Sequence, residues 1–217
     1  INIKAVLEFA TSIRASYEQG LVGISILIRY LPYGIVRCRM DLKSNNIRED
    51  YSVTADLPKS SGTYALHLHL LTAIQLNVGK LGEFNLPGGD YLYLGSAFNP
   101  GGLKARLGRH LRGGGILHWH IDYLRAEAMV NGYHYVIQDN DITPTMQPLE
   151  CLWSQAVATL PGARFHIPGF GAGDCRAGCP AHLITLRIKN DDFFESTIRK
   201  VLLSRSYSYK LISHYMR

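Results

Sequence analysis

Cysteine is sparse in this chain, four residues in 217. That is too few for the disulfide framework of a small secreted domain, so a reducing compartment is expected, the cytoplasm being the simplest. Long hydrophobic runs are missing too. The apolar stretch from Leu21 to Ile28 is interrupted by Arg29 and Pro32, well short of a membrane-spanning helix; a buried strand is expected there, and no membrane partner. No internal repeat or low-complexity tract occurs, which excludes a solenoid. Methionine is absent before Met40. Residues 1–39 therefore read as an N-terminal extension: part of an upstream domain, a processed segment or an over-extended reading frame. Acidic residues are in deficit, 17 Asp and Glu against 23 Lys and Arg, a formal charge of +6, and this favours an anionic partner.

What is present suffices for one sizeable core, since 47% of the residues are hydrophobic. Val6, Phe9, Ala10, Ile13 and Tyr17 recur on one face of a helix expected between Lys4 and Tyr17. Residues 40–60 are polar, broken by Asn45-Asn46 and Pro58, and read as a linker. The main domain is expected over 61–188 and a helical tail over 189–217. Within the domain, Tyr64, Leu66, Leu68 and Leu70 alternate with His67 and His69, the pattern of a strand; two histidines on one strand face can hold a metal, but solvated positions are the commoner outcome and the pair is given no role. Ile74, Leu76 and Val78 alternate as a further strand, and Asn85 to Asp90 reads as a loop. A short mixed segment is expected from Trp119 to Ala128, strands over Gly132–Gln138 and His182–Ile188, and helices over Pro148–Leu160 and Phe193–Leu203. The order of elements implies a mixed α/β fold of the α+β kind: a small, mostly antiparallel sheet flanked by helices.

The stretch from Tyr91 to Leu111, YLYLGSAFNPGGLKARLGRHL, is the densest in chemistry. Tyr91 and Tyr93 share one face of a strand, Leu92 and Leu94 the other, and Gly95-Ser96 is expected to end it. Leu103, Leu107 and Leu111 then form the buried stripe of a helix. Arg106 and His110 line up beside it, and Arg109 completes a basic surface. With Lys104, Arg112 and Arg125 these residues make a local cationic cluster suited to phosphates.

Gly62-Thr63-Tyr64, then Tyr93-Leu94-Gly95-Ser96, then Arg106 and the RxxRH pattern ending at His110 resemble the GIY-YIG nuclease superfamily. More narrowly they resemble its DUF123 branch, as do WHIDYL (Trp119 to Leu124), Glu150-Cys151 and GFGxxDC leading into a Cys and a His-Leu (Gly169 to Leu183). Two departures stand out: Thr63 replaces an aliphatic residue, and the gap from Tyr64 to Tyr93 is long, which an inserted hairpin arm would absorb. The family's late asparagine has no matched position.

The resemblance implies a metal-dependent endonuclease acting on DNA, in repair or mobile-element defence. It implies Tyr64, with Tyr93 beside it, as the residue that activates or orients water. Arg106 would stabilise the phosphate, His110 would relay a proton or donate to phosphate, and Glu150 would ligate Mg²⁺ or Mn²⁺. Tyrosine is a poor base near neutral pH unless a cation lowers its pKa, a task for Arg106 or the metal. Lys104, Arg109 and Arg112 would contact phosphates. His120 and Asp122 form a His-x-Asp pair that either orients an imidazole or shares a solvent face, while Trp119 and Tyr123 read as core. Cys175, Cys179 and His182 offer three of the four ligands of a structural zinc site, the fourth being Cys151, His166 or Asp174; otherwise the thiols are merely buried. Two other functions fit parts of the sequence. One is a nucleic-acid-binding module with the same fold and no cleavage, and the other is a zinc module mediating protein contacts.

Overall fold

The computed structural model describes residues 25–29, 35–41, 46–49, 57–113, 116–138, 147–185, 191–204 and 209–215. The helix expected between Lys4 and Tyr17 lies outside them. The chain divides into two units, Ile1–Tyr51 and Ser52–Arg217. In the first, β1 (Ser25–Arg29), β2 (Ile35–Asp41) and β3 (Asn46–Glu49) pair antiparallel in that order. β1 overlaps the strand expected before Arg29. β3 falls inside the stretch read as a linker, and Met40 lies within β2 rather than at a boundary.

The second unit is built on a five-stranded antiparallel sheet. Its elements are β4 (Gly62–Leu70), a hairpin arm of β5 (Ile74–Asn77) and β6 (Glu83–Leu86), β7 (Gly89–Ala97), α1 (Gly102–Arg112), α2 (His120–Arg125), β8 (Met129–Ile137), α3 (Leu149–Ala158), β9 (Leu183–Thr185), α4 (Asp191–Ser204) and β10 (Ile212–Tyr215). The strand order is β10-β8-β4-β7-β9, every pair antiparallel, and among the described residues β5 pairs only with β6. The arm fills the long gap between the two tyrosine motifs, as expected. The loop expected from Asn85 to Asp90 shrinks to Pro87 and Gly88, because β6 and β7 run into it from either side.

Helices cover both faces of this sheet, which explains why central β4 is buried along most of its length although only the Tyr64–Leu70 face is apolar. Tyr64, Leu66, Leu68, Leu70, Tyr91 and Tyr93 pack with Leu103, Leu107 and Leu111 of α1 and with Ile121 and Leu124 of α2. Ala65, Leu92, Leu94 and Val136 pack with Leu149, Leu152, Trp153 and Val157 of α3 and Phe194, Ile198 and Leu202 of α4. Each fully buried leucine contributes roughly 1.5–3 kcal/mol through burial. The period-two split of Tyr91/Tyr93 from Leu92/Leu94 and the α1 stripe therefore stand as the sequence implies.

Several expectations give way. β7 does not end at Gly95-Ser96, since these residues still pair with Tyr64 and Thr63 of β4. The histidines of β4 are not simply solvated: the His67 ring packs on His134 and Phe194, and His69 Nδ1 lies 2.6 Å from Asp90 Oδ1. The expected helical tail carries a strand as well, because β10 extends the sheet beside β8. Residues 120–125 are helical, so Trp119 sits at a helix entrance, 41% exposed, and not in the core.

Two contacts tie the first tyrosine motif to its neighbours. A Cβ on Gly62 would lie 2.1 Å from the Val136 carbonyl oxygen, so β4 and β8 approach this closely only because the residue is glycine. Buried Thr63, the departure from an aliphatic, donates its hydroxyl to Gln138 Oε1 at 2.5 Å. The segment entering β4 also caps α1, its Ser60 and Pro58 carbonyls accepting from the Leu103 and Lys104 amides at 3.0 and 2.8 Å.

A chain beginning at Ser52 is expected to melt cooperatively by circular dichroism, within a few degrees of the main transition of the whole chain. One beginning at Met40 retains β3 and only the last two residues of its partner β2, which leaves an open strand edge, and is expected to aggregate more readily. Loss of the cooperative melt in the Ser52 chain would show that the sheet needs the first unit.

Candidate active site

Tyr64 stands opposite Gly95 in the β4–β7 ladder. A Cβ at Gly95 would lie 2.6 Å from Tyr64 Oη and 2.7 Å from Cζ, so the tyrosine ring lies over the one neighbour without a side chain. Its ring centroid is 6.4 Å from that of Tyr93 and 5.8 Å from that of His110, and Tyr93 and His110 are 6.2 Å apart. Strands β4 and β7 and helix α1 thus bring three aromatic residues into one buried triangle. Tyr64 Oη and His110 Nε2 are 3.0 Å apart.

Arg106, one turn before His110 on α1, acts on both tyrosine hydroxyls as a positive charge and on that of Tyr64 as a hydrogen-bond donor. Its guanidinium lies 4.4 Å from the centroid of the Trp119 ring, a cation–π contact that holds the side chain in place. Glu150 enters from α3 on the opposite sheet face. Ser96, at the end of β7, donates its hydroxyl to Glu150 Oε1 at 2.9 Å. Oε2 is buried with no hydrogen-bond partner, so a carboxylate donor is left free in the vicinity of Arg106 and both tyrosines.

Burial controls the resting protonation states. It raises the Tyr64 pKa well above its usual value and that of Tyr93 to about 12, outweighing Arg106, which lowers both. Arg106 thus acts in the expected direction, but burial outweighs it and both tyrosines stay above their ordinary value. Burial also pushes His110 down to about 3, with Arg109, Arg106 and Arg125 adding to the effect against the opposing pull of Asp122. A neutral His110 bearing its proton on Nδ1 leaves Nε2 free to accept from Tyr64. Glu150 is raised, chiefly by burial, against its own backbone amide, the Ser96 hydroxyl and Arg106.

Asp122 has a role that its sequence neighbours do not announce. Because α2 is a helix, Asp122 and His120 do not share a face. Asp122 Oδ2 instead accepts from the His118 and Trp119 amides and from Arg109 Nη2, the last at 2.5 Å. Oδ1 lies 3.9 Å from His110 Nδ1. These hydrogen bonds and Arg109 hold the Asp122 carboxyl below its usual value despite the burial that opposes them. Arg109 is thereby engaged in an internal ion pair and is not a free phosphate contact, while Lys104 and Arg112 are exposed on α1. His120 accepts from the Gly171 amide at 3.0 Å. Sequence reasoning missed Ser96, which lies within a recognisable motif but has no partner that the motif reveals; it weighed Asp122 with His120, whereas the carboxylate meets Arg109 and His110.

The cysteine-rich segment resolves in favour of Cys151 as the fourth member. Ligand atoms of Cys151, Cys175, Cys179 and His182 all lie within 4.8 Å of one another, and this Cys₃His cluster can hold a metal ion. His166 is instead 3.0 Å from Thr185 Oγ1. No disulfide joins the three thiols. Among the described residues no helix is long and apolar enough to cross a membrane.

A family model described as a domain of unknown function, DUF123, matches residues 63–203, and the chain belongs to that family. No curated protein and no solved structure matches it.

The buried neutral His110 has a stability consequence of definite sign. Its folded pKa, about 3, lies below the unfolded value near 6.5, so the unfolded chain binds a proton that the folded chain refuses. Stability is full above pH 6.5 and falls as the pH drops toward 3, at up to about 1.4 kcal/mol per pH unit, or roughly 2 kcal/mol by pH 5. Urea denaturation at pH 7.5 and pH 5 should show this loss, and His110→Gln should remove most of it. An unchanged pH dependence in the variant would show that another group carries it.

Proposed function

We propose that this DUF123 chain is a metal-dependent endonuclease of the GIY-YIG type that hydrolyses phosphodiester bonds in DNA. The observation that carries the reading is the meeting of Tyr64, Tyr93, His110 and Arg106 with Glu150, whose buried Oε2 has no partner. Structural packing alone gives no reason to bury a carboxylate oxygen unsatisfied, at a cost of about 1–3 kcal/mol or more.

In this reading Arg106 binds the non-bridging oxygens of the scissile phosphate and stabilises the charge that grows on them. Tyr64 orients the attacking water. Because the phenol is protonated at rest, it takes the water's proton only as it passes its own to His110 Nε2, 3.0 Å away, and Asp122 then faces the imidazolium that forms. Tyr93 lines the other side of the phosphate. Glu150 is the ligand that fits Mg²⁺ or Mn²⁺, since hard cations are held by carboxylate oxygen together with water and substrate oxygens. The ion supplies neutralisation of phosphate and leaving-group charge. Lys104 and Arg112 lead the DNA backbone along α1. The Cys₃His cluster takes zinc and not magnesium, because thiolates are soft donors and four protein ligands leave no place for substrate.

Arg106→Ala and Glu150→Ala are each expected to lower Mg²⁺-dependent cleavage of a panel of labelled DNAs by about 100-fold or more, with melting curves close to wild type. Wild-type cleavage by a folded Glu150→Ala protein would remove Glu150 as the metal ligand. DNA binding without any cleavage, at any Mg²⁺ or Mn²⁺ concentration, would favour a binding module on the same fold.

The double change Lys104→Ala, Arg112→Ala should weaken DNA binding equally across sequences. The slope of log affinity against log salt should become shallower by about 1.8. An unchanged slope would place the phosphate contacts elsewhere.

A further inference from the structure

We infer that a zinc ion held by Cys151, Cys175, Cys179 and His182 fastens the 169–182 loop to α3, and that this clamp sets the positions of Tyr93 and Glu150. The catalytic meaning of the second half rests on the nuclease reading above.

The donor geometry fits a tetrahedral ion. With Zn–S near 2.3 Å and Zn–N near 2.0 Å, tetrahedral angles put sulfurs about 3.8 Å apart and sulfur about 3.5 Å from nitrogen. Cys151 Sγ lies 3.5 Å from Cys175 Sγ and 3.7 Å from His182 Nε2. Thiols that only filled a core would need no such convergence with an imidazole. The surroundings also suit a metal site. The Cys175 sulfur accepts backbone hydrogen bonds from Ala177 and Cys179, and His182 hydrogen-bonds the backbone of Gly171. Such outer contacts orient ligands around a bound ion.

The four ligands come from different places. Cys151 is on α3, Cys175 and Cys179 are in the loop, and His182 directly precedes β9. Binding releases the thiol protons and leaves a closed four-ligand site of the structural kind. The same loop forms a wall of the tyrosine triangle. Phe170 meets Tyr93 edge to face at 6.0 Å. A Cβ on Gly171 would lie 2.8 Å from Tyr93 Cε2 and 3.2 Å from the His182 Cβ, so the backbone here is wedged between a proposed zinc ligand and a proposed catalytic tyrosine. Glu150 immediately precedes Cys151, so the bond that pins Cys151 also pins the backbone that carries the carboxylate.

The test begins with the full chain purified under reducing conditions and assayed for metal by mass spectrometry, with one zinc per chain expected. Metal-free protein titrated with Co²⁺ should develop the intense visible bands and near-ultraviolet charge-transfer band of a tetrahedral thiolate site. Failure to retain zinc together with weak, octahedral-type cobalt spectra would overturn the proposal. The clamp itself is read by trypsin at exposed Arg176, within the loop, with exposed Lys80 on the hairpin arm as reference. Removing zinc should speed cleavage after Arg176 at least tenfold relative to Lys80. Equal rates with and without zinc would overturn the clamp.

Positioning of Glu150 is read separately, by Mn²⁺ binding followed by electron paramagnetic resonance. Zinc removal should weaken binding at least tenfold, as Glu150→Gln does in zinc-loaded protein. Mn²⁺ affinity that ignores zinc would overturn the positioning claim. If zinc-loaded wild type neither binds Mn²⁺ nor cuts DNA, the nuclease reading fails, while the cobalt and trypsin results still decide the zinc site. Cys179→Ser provides an additional check through its loss of zinc. Should that variant not fold, refolding of the wild-type chain with and without zinc decides the same point, and refolding indifferent to zinc would overturn the clamp.

Discussion

The ring of Tyr64 lies over Gly95, and the rest of the site is arranged around that contact. Any side chain at Gly95 would occupy the space of the phenol, since a Cβ would come within 2.7 Å of Cζ. Tyr64 sits on the central strand, so its position is fixed from both sides, by Gly95 of β7 and Tyr135 of β8. With the ring held there, Oη meets His110 on one helix and Arg106 one turn away. The sheet and α1 are themselves locked together by the buried leucine stripe and by the carbonyls that cap the helix from the chain entering β4. A local absence, the missing Cβ, is thus converted into a fixed geometry by the close packing around it.

Burial gives the site its resting charge distribution. Tyr64, Tyr93 and His110 are all held in their neutral forms because their charged forms would lose hydration. Arg106 remains the cation that acts on both tyrosines, and Glu150 keeps one oxygen without a partner. In the proposed reaction this means that no group needs to ionise before substrate arrives. Charge would be introduced by the phosphate and the hard cation together, and the proton would move along the Tyr64–His110 contact as the bond to phosphorus forms. Asp122 matters to this picture because it balances Arg109 and faces the far nitrogen of His110.

Much of this is legible in the sequence where one element carries the whole signal. The alternation of Tyr91 and Tyr93 against Leu92 and Leu94 needs only the strand period, and Leu103, Leu107 and Leu111 need only the helix period. The inserted arm follows from the Ile74–Val78 alternation within an over-long gap. What escapes a sequence reading depends on contacts between distant segments. Ser96 and Glu150 are 54 residues apart, and no local pattern announces their hydrogen bond. Glycine and serine usually break strands, which predicts an end to β7 at Gly95-Ser96, yet pairing with β4 on one side carries it to Ala97. HWHID alternates like a strand, whereas the Asp122 carboxylate caps a helix start. The fourth cluster ligand has three candidates in the sequence, and only tertiary packing places Cys151 against Cys175.

The adjacency of Glu150 and Cys151 shows how one short helix can serve two unlike sites. Successive residues on a helix point about 100° apart, so neighbours in sequence can face different surroundings while sharing one rigid backbone. Glu150 lies in the first turn of α3, where its own amide and the helix N-terminus favour a carboxylate. Cys151 turns inward, buried among Cys175, Cys179 and His182. In the proposed assignment the donors sort the metals without needing distance. A single hard oxygen cannot compete for zinc with three thiolates and an imidazole, and those thiolates offer little to magnesium. Placing both on one helical turn then makes the soft, closed site a mechanical reference for the hard, open one.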